Sequence, residues 1–195
     1  MPTGVHLRDV RTQLFDAAER VLLREGLTGL TSRAVTTEAG CAKGVLHRHF
    51  ADFDAFLAEF VLDRVNQLAP QAAALRQSAG TGDVAGNLTN ALTALFGSVA
   101  VAVVPLVTFR DELRARLRQD WPVGIPVLTE AVDIIASYLA AERDLGRIAA
   151  DAEVDLLAPT LIGTAHLLFA DRSATPDTRT LHKMVTTVIA SVVRE

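Results

Sequence analysis

Between Thr31 and Phe50 the chain gathers residues that donate hydrogen bonds or carry positive charge. They are Thr31, Ser32, Arg33, Lys43, His47, Arg48 and His49, with the small residues Gly44 and Val45 among them. Apolar positions decide how these groups are displayed. Leu46 and Phe50 are four apart, so on a helix they share one face and turn it towards a core. Lys43, Val45, His47 and Arg48 are then left on the outer side. A short helix with basic and small residues on its free face suits the major groove of duplex DNA. A helical hairpin with a solvated basic face has the same composition, and from the pattern alone both readings stand.

Other chemistries are weaker. On a helix His47 and His49 point about 200° apart, so they cannot chelate one ion and no metal site is expected. Cys41 is the chain's single cysteine. That count excludes an intramolecular disulfide and a cysteine-based zinc site. Cys41 reads as a redox sensor or as a small buried turn residue. No Ser/His/Asp set, Gly-rich phosphate loop or paired-glutamate pattern is present, so neither catalysis nor a cofactor is expected.

The elements that position these groups read as helices. Of 195 residues, 50% are hydrophobic and only 5% aromatic, and no segment alternates with the period of a strand. A first helix is expected from about residue 8 to 24, with Gly26 as its stop. Thr31 is a good N-cap for a second, to about Ala39, and Gly40 breaks it. A third runs over residues 42–49. Asp52 caps a fourth, which Pro70 kinks or divides. Residues 78–86 form a loop by composition, and two or three helices follow between Asp83 and Gln119, with Pro105 at a kink or a new first turn. After a break at residues 121–124, a helix runs from 126 to about 141. Asp151 caps the next. Thr175-Pro176 opens a last helix that continues to the C-terminus. The expected fold is all-α with about nine helices.

Charge is unevenly spread. The net charge is −4 overall, with +2 over residues 1–50 and −6 over the rest. A mildly basic N-terminal part on an acidic body permits local phosphate binding. The longest apolar run, residues 95–109, is interrupted by Gly97, Ser98, Pro105 and Thr108. It falls short of the roughly 20 residues a spanning helix needs. With no signal-peptide pattern at the start, a cytoplasmic protein without membrane contact is expected.

Ala17-Ala18, Glu25-Gly26, Thr31 with Val35, Ala39-Gly40, and Lys43-Gly44-x-Leu46 leading to Phe50 occur in an order and spacing that resembles the tetracycline-repressor (TetR) family of bacterial transcription regulators. The resemblance covers residues 14 to about 60; beyond it only helix order and Glu142-x-x-x-Gly146-x-Ile148 match. It implies a DNA-binding domain over residues 1–51 and a ligand-binding and dimerisation domain over 52–195. It implies that Lys43, Gly44 and Val45 meet base edges, that Arg33 reaches a guanine, and that Ser32, His47 and His49 meet phosphates. Three positions depart from the family pattern: Ala42 replaces a Ser, His47 a Tyr, and Phe53, flanked by Asp52 and Asp54, a Lys. Loss of that cation and gain of carboxylates should weaken phosphate binding.

In the body, Phe96, Val99, Val103, Leu106, Phe109, Trp121, Ile134 and Tyr138 read as core or as the lining of an apolar cavity. The resemblance favours a cavity for a small apolar or amphipathic effector, with Thr108, Arg110, Tyr138 and His166 to orient it. Arg110, Arg114, Arg116 and Arg118, interspersed with Asp111, Glu112 and Asp120, read as a solvated helix face and linker contact rather than as an anion site. The last two expected helices, the eighth and ninth, are apolar around much of their girth. A two-fold homodimer interface through Leu161, Gly163, Leu167, Val185, Val188 and Val192 accounts for that. Taken together, the reading is a dimeric repressor on a pseudo-palindromic operator. The alternative is an all-helical small-molecule-binding protein or enzyme without specific DNA binding.

Overall fold

A computed structural model describes residues 7–97, 100–170 and 176–194. These contain eleven helices: α1 (Leu7–Gly29), α2 (Ser32–Glu38), α3 (Val45–His49), α4 (Phe53–Asn66), α5 (Ala69–Gln77), α6 (Val84–Phe96), α7 (Ala100–Phe109), α8 (Asp111–Asp120), α9 (Pro126–Asp144), α10 (Val154–Ala170) and α11 (Thr178–Ile189). The only β contact among the described residues is an isolated antiparallel bridge between Ile148 and Val193. No single described helix is long and apolar enough to cross a membrane.

The caps follow local rules. Thr31 Oγ1 accepts from the Ala34 N–H at 3.1 Å, and Asp52 Oδ1 from that of Ala55 at 2.8 Å. Gly26 breaks the helical run of α1 with φ +70°, and Gly40 turns the chain after α2 with φ +65°. Both are left-handed conformations that favour glycine.

Other boundaries differ from expectation. Pro70 lies in the first turn of α5, so it divides rather than kinks. The loop after α5 is shorter than its composition suggests, because Asp83 caps α6 by accepting from Gly86 N–H at 2.7 Å. α10 begins at Val154, beyond Asp151, with the Glu153 carbonyl accepting the first helical bonds. Thr175 lies outside the described residues. The cap of α11 is Asp177, which accepts from Arg179 N–H at 3.2 Å. α11 does not reach the C-terminus. After Ile189 the backbone pairs with residues 147–149, Ala149 N–H donating to Val192 and Arg194 N–H to Arg147.

The chain divides into two compact units. The first holds the described residues up to Arg64 together with Ala102–Ile125. Its core is built on Leu14, Phe15, Ala18, Val21 and Leu22 of α1. Phe50, Phe56 and Phe60 surround Phe15 at ring-centroid distances of 5.8, 5.6 and 6.3 Å. Arg64, 5% exposed, is held by Asp16, Glu19 and Asp63. These contacts draw residues 53–64 into the unit, and the ion pairs of Arg110 with Asp54 and Arg116 with Asp52 tie residues 102–125 to it, whereas the expected boundary lay at 51/52.

The second unit holds the described residues of Val65–Val101 and Pro126–Glu195. Leu88, Leu92, Leu95 and Phe96 of α6 meet Ile135, Tyr138 and Leu139 of α9, Leu161 and Ala165 of α10, and Leu181 and Val185 of α11. A polar network closes the loop between α5 and α6. Asn87 Nδ2 donates to the carbonyls of Ser78 and Thr81 and to the Tyr138 hydroxyl at 3.0 Å. Arg147 donates to the carbonyls of Thr81 and Gly82 and pairs with Glu142, which is fully buried. Burial first, and then the hydrogen bond to Glu142, push the Tyr138 hydroxyl above its ordinary titration range.

Candidate nucleic-acid interface

α2, the Gly40 turn and α3 form a helix-turn-helix. Val35 and Thr36 bury one side of α2, and Leu46 and Phe50 anchor α3. Gln13 of α1 donates to the Ala39 carbonyl at 2.9 Å, and so fixes the end of α2. Glu38 is bound by Arg20 Nε at 2.7 Å and Arg24 Nη2 at 2.9 Å. The Arg20 hydrogen bond, and then that of Arg24, hold the Glu38 carboxyl below its usual range. This carboxylate next to the turn is thus matched by cations of α1.

Thr31, Arg33, Lys43, Gly44, His47 and Arg48 are exposed, and Ser32, Val45 and His49 are half-buried. Arg33, Lys43 and Arg48 enter no ion pair among the described residues, whereas Arg11, Arg20, Arg24, Arg64, Arg110 and Arg116 all do. Gly44 has an ordinary φ of −79°, and a Cβ added to it would meet nothing within 4 Å. The fold therefore does not require glycine at that position. What a missing side chain does there is leave the backbone open to close approach from outside. The α-helical part of α3 begins at Val45 rather than Ala42, with a turn closed by Val45 N–H on the Ala42 carbonyl. Cys41 is half-buried, its Sγ 3.7 Å from the Thr36 carbonyl.

Residues 14–60 match the family model described as "Bacterial regulatory proteins, tetR family". Over those residues, which hold the helix-turn-helix, the chain is similar to tetR-family regulators. The HTH-type transcriptional regulator PksA of Bacillus subtilis (strain 168) is 33% identical over 76 residues. That match covers 35% of this chain and 37% of PksA, so it spans little more than a third of that relative's length. The solved structure of E. coli NemR in its reduced form is similar with a TM-score of 0.75 at 15% identity, over 96% of this chain and 98% of that one. FadR from Bacillus subtilis in complex with stearoyl-CoA is similar with a TM-score of 0.68 at 17% identity, over 92% and 98%. At those identities the likeness is one of fold.

The tetR-family departures at the start of α4 are compensated within the first unit. Arg110 pairs with Asp54 at 2.7 Å, and Arg116 pairs with Asp52. The Arg110 guanidinium also lies 5.6 Å from the centre of the Phe53 ring. Phe53 itself stacks on Phe56 at 5.7 Å. Arg110 and Arg116, expected as a solvated helix face and linker contact, are thus half-buried in ion pairs with the start of α4. Asp52 and Asp54 have no cation three or four residues on, so neither finds a local partner in the sequence that follows. Arg11 and Arg64 were also missed as organisers of the unit, because their partners are remote in sequence.

The expected effector residues are distributed over both units of the chain. Val103 and Leu106 are buried in the first unit, and Trp121 is half-buried there. Phe109 is 77% exposed, so it is a surface residue of that unit rather than part of a closed lining. Thr108 is also exposed, with Oγ1 bonded to the Val104 carbonyl. Val99 lies outside the described residues. In the second unit Phe96, Ile134 and Tyr138 are buried together. His166 stands beside Phe96 at 6.1 Å, and its Nδ1 is buried without a hydrogen-bond partner. Burial pushes the His166 imidazole below its ordinary range. A cleft of about 230 Å³ lies elsewhere in this unit, lined by Gln71, Ser78, Asn87, Asn90 and small apolar residues of α5 and α6.

Of the expected interface residues, Leu161 and Val185 are fully buried in the second unit's own core and are removed from the set. Packing against the neighbouring helices of that core turns them inward, and the outer stripe of α10 falls on Leu156, Thr160, Gly163 and Leu167. Leu156 is 62% and Leu167 74% exposed. A Cβ on Gly163 would meet nothing within 4 Å. Val188 and Val192 are half-buried against the core.

Proposed function

We propose that this chain is a dimeric DNA-binding transcription regulator, a repressor released from a pseudo-palindromic operator by a small apolar or amphipathic effector. The observation that carries the reading is the set of three unpaired cations, Arg33, Lys43 and Arg48, exposed on α2 and α3 around the open backbone of Gly44. Arg33 and Lys43 donate to guanine O6 and N7, Val45 touches a thymine methyl, and Thr31, Ser32, His47 and His49 meet the flanking phosphates. The match of residues 14–60 to the tetR family model supports this assignment, as does the PksA relative, itself a transcriptional regulator.

Two copies associate through the outer stripe of α10 with α11, which explains the exposed leucines Leu156 and Leu167. The effector is apolar or amphipathic because the cations of residues 110–116 are already committed: Arg110 to Asp54, Arg114 to Asp111 and Arg116 to Asp52. The unpartnered Nδ1 of His166 offers it one polar contact. FadR from Bacillus subtilis, similar in fold, is solved with stearoyl-CoA, a ligand with a long apolar chain. The effector acts through its differential affinity for DNA-competent and incompetent states of the dimer.

The test is a selection from genome-derived duplex fragments with the purified full-length chain. Enrichment of a pseudo-palindrome with half-sites about 34–36 Å apart is the expected result. Absence of any enriched duplex overturns the reading in favour of a ligand-binding protein without specific DNA contact.

A further inference from the structure

We infer that Arg11 is a positioning residue for DNA reading: it holds the C-terminal end of α3 against α1 and α4 and so sets where Lys43, Gly44 and Val45 point. The inference rests on the DNA-binding reading of α3. α3 has five residues. A helix that short has no stability of its own, since isolated helices need roughly 12–15 residues to be even marginal. Its placement must come from outside. Leu46 at 0% exposure and Phe50 at 4% hold it down, but apolar burial is non-directional and leaves rotation and slip weakly determined.

Arg11 supplies the directional contact. Its Nη1 donates to the His49 carbonyl at 3.3 Å, one of the last-turn carbonyls that a helix cannot satisfy itself. Its guanidinium carbon lies 4.4 Å from the centre of the Phe50 ring. Its Nη2 forms an ion pair with Glu59 of α4. The planar guanidinium fork therefore joins α1, the end of α3 and α4, a three-way contact that a flexible ammonium does not reproduce.

The test compares full-length Arg11→Lys, Arg11→Gln and Glu59→Gln with the parent, in two measurements. In amide hydrogen exchange without DNA, the Lys and Glu59 variants should exchange about tenfold faster over residues 46–51, with α1 and the thermal midpoint little changed. For the duplex that the parent enriches, both should bind about tenfold more weakly with an unchanged salt slope. Glu59→Gln is the decisive variant. Removing a carboxylate strengthens binding to a polyanion if only charge matters, whereas loss of positioning weakens it.

Unchanged exchange over residues 46–51 in both variants overturns the inference, as does tighter binding by Glu59→Gln. A salt slope reduced by about 0.9 in Arg11→Gln also overturns it, because Arg11 is then a phosphate contact. If the parent enriches no duplex, the DNA reading fails separately, and the exchange measurement still decides whether Arg11 anchors α3.

Discussion

Arg110 donates twice to the Asp54 carboxylate, from Nε at 3.1 Å and Nη2 at 2.7 Å, at the start of the helix that follows the helix-turn-helix. The pair joins residues 56 apart in sequence. Through it, a carboxylate close to the proposed DNA face keeps its charge balanced. Arg110→Ala exposes that charge. Duplex affinity should fall, and the double variant Arg110→Ala/Asp54→Ala should recover most of it. Stability should change by no more than about 1 kcal/mol, because both partners are partly exposed. A double-mutant cycle on duplex affinity checks this, and purely additive losses would show that the pair does not act through charge.

Lys43→Ala should cost about 1–3 kcal/mol of specific binding and relax preference at one base position. Repeating the duplex selection with the variant measures it. An unchanged base preference removes Lys43 from the base-reading set.

Gly44→Ala separates folding from function. Its φ is ordinary and a Cβ has open space, so thermal stability should be unchanged or rise by up to about 1 kcal/mol. Duplex affinity should nevertheless fall, since the methyl occupies the space the duplex backbone or bases need. Parental affinity in a stable variant would mean that nothing approaches Gly44 closely.

Gly163→Arg and Leu167→Glu place charge on the outer stripe of α10 without touching the protomer core. Sedimentation should show monomers with parental helicity, because an unpaired charge buried at an interface costs several kcal/mol, about 3–5 when its partner is lacking. Dimers as tight as the parent's place the interface elsewhere.

His166 contributes a pH dependence. Burial lowers its folded-state affinity for protons, so below the ordinary histidine range the unfolded chain binds more protons than the folded one. Stability is therefore undiminished above that range and is lost as pH falls through about 6.5 and below. His166→Leu should flatten this part of the stability curve, as measured by denaturant midpoints between about pH 7 and 5. A parental slope in the variant assigns the loss to other groups.

The sequence by itself determined the local events. Thr31, Asp52, Gly26 and Gly40 act within a few residues of themselves, and a cap or a left-handed turn depends on little else. The same holds for the faces of α3, because a period of 3.6 residues fixes which side Leu46 and Phe50 share. Only the tertiary structure decided which charges meet across distance: Arg110 with Asp54, Arg64 with Asp16 and Glu19, Arg11 with Glu59 and the His49 carbonyl. It also decided that residues 102–125 join the N-terminal unit and that residues 192–194 leave the helix to pair with 147–149. The apolar stripes of α10 show why. Periodicity marks both stripes as apolar, but which one faces the protomer core is settled by the helices packed against it, and that choice buried Leu161 and left Leu167 outside.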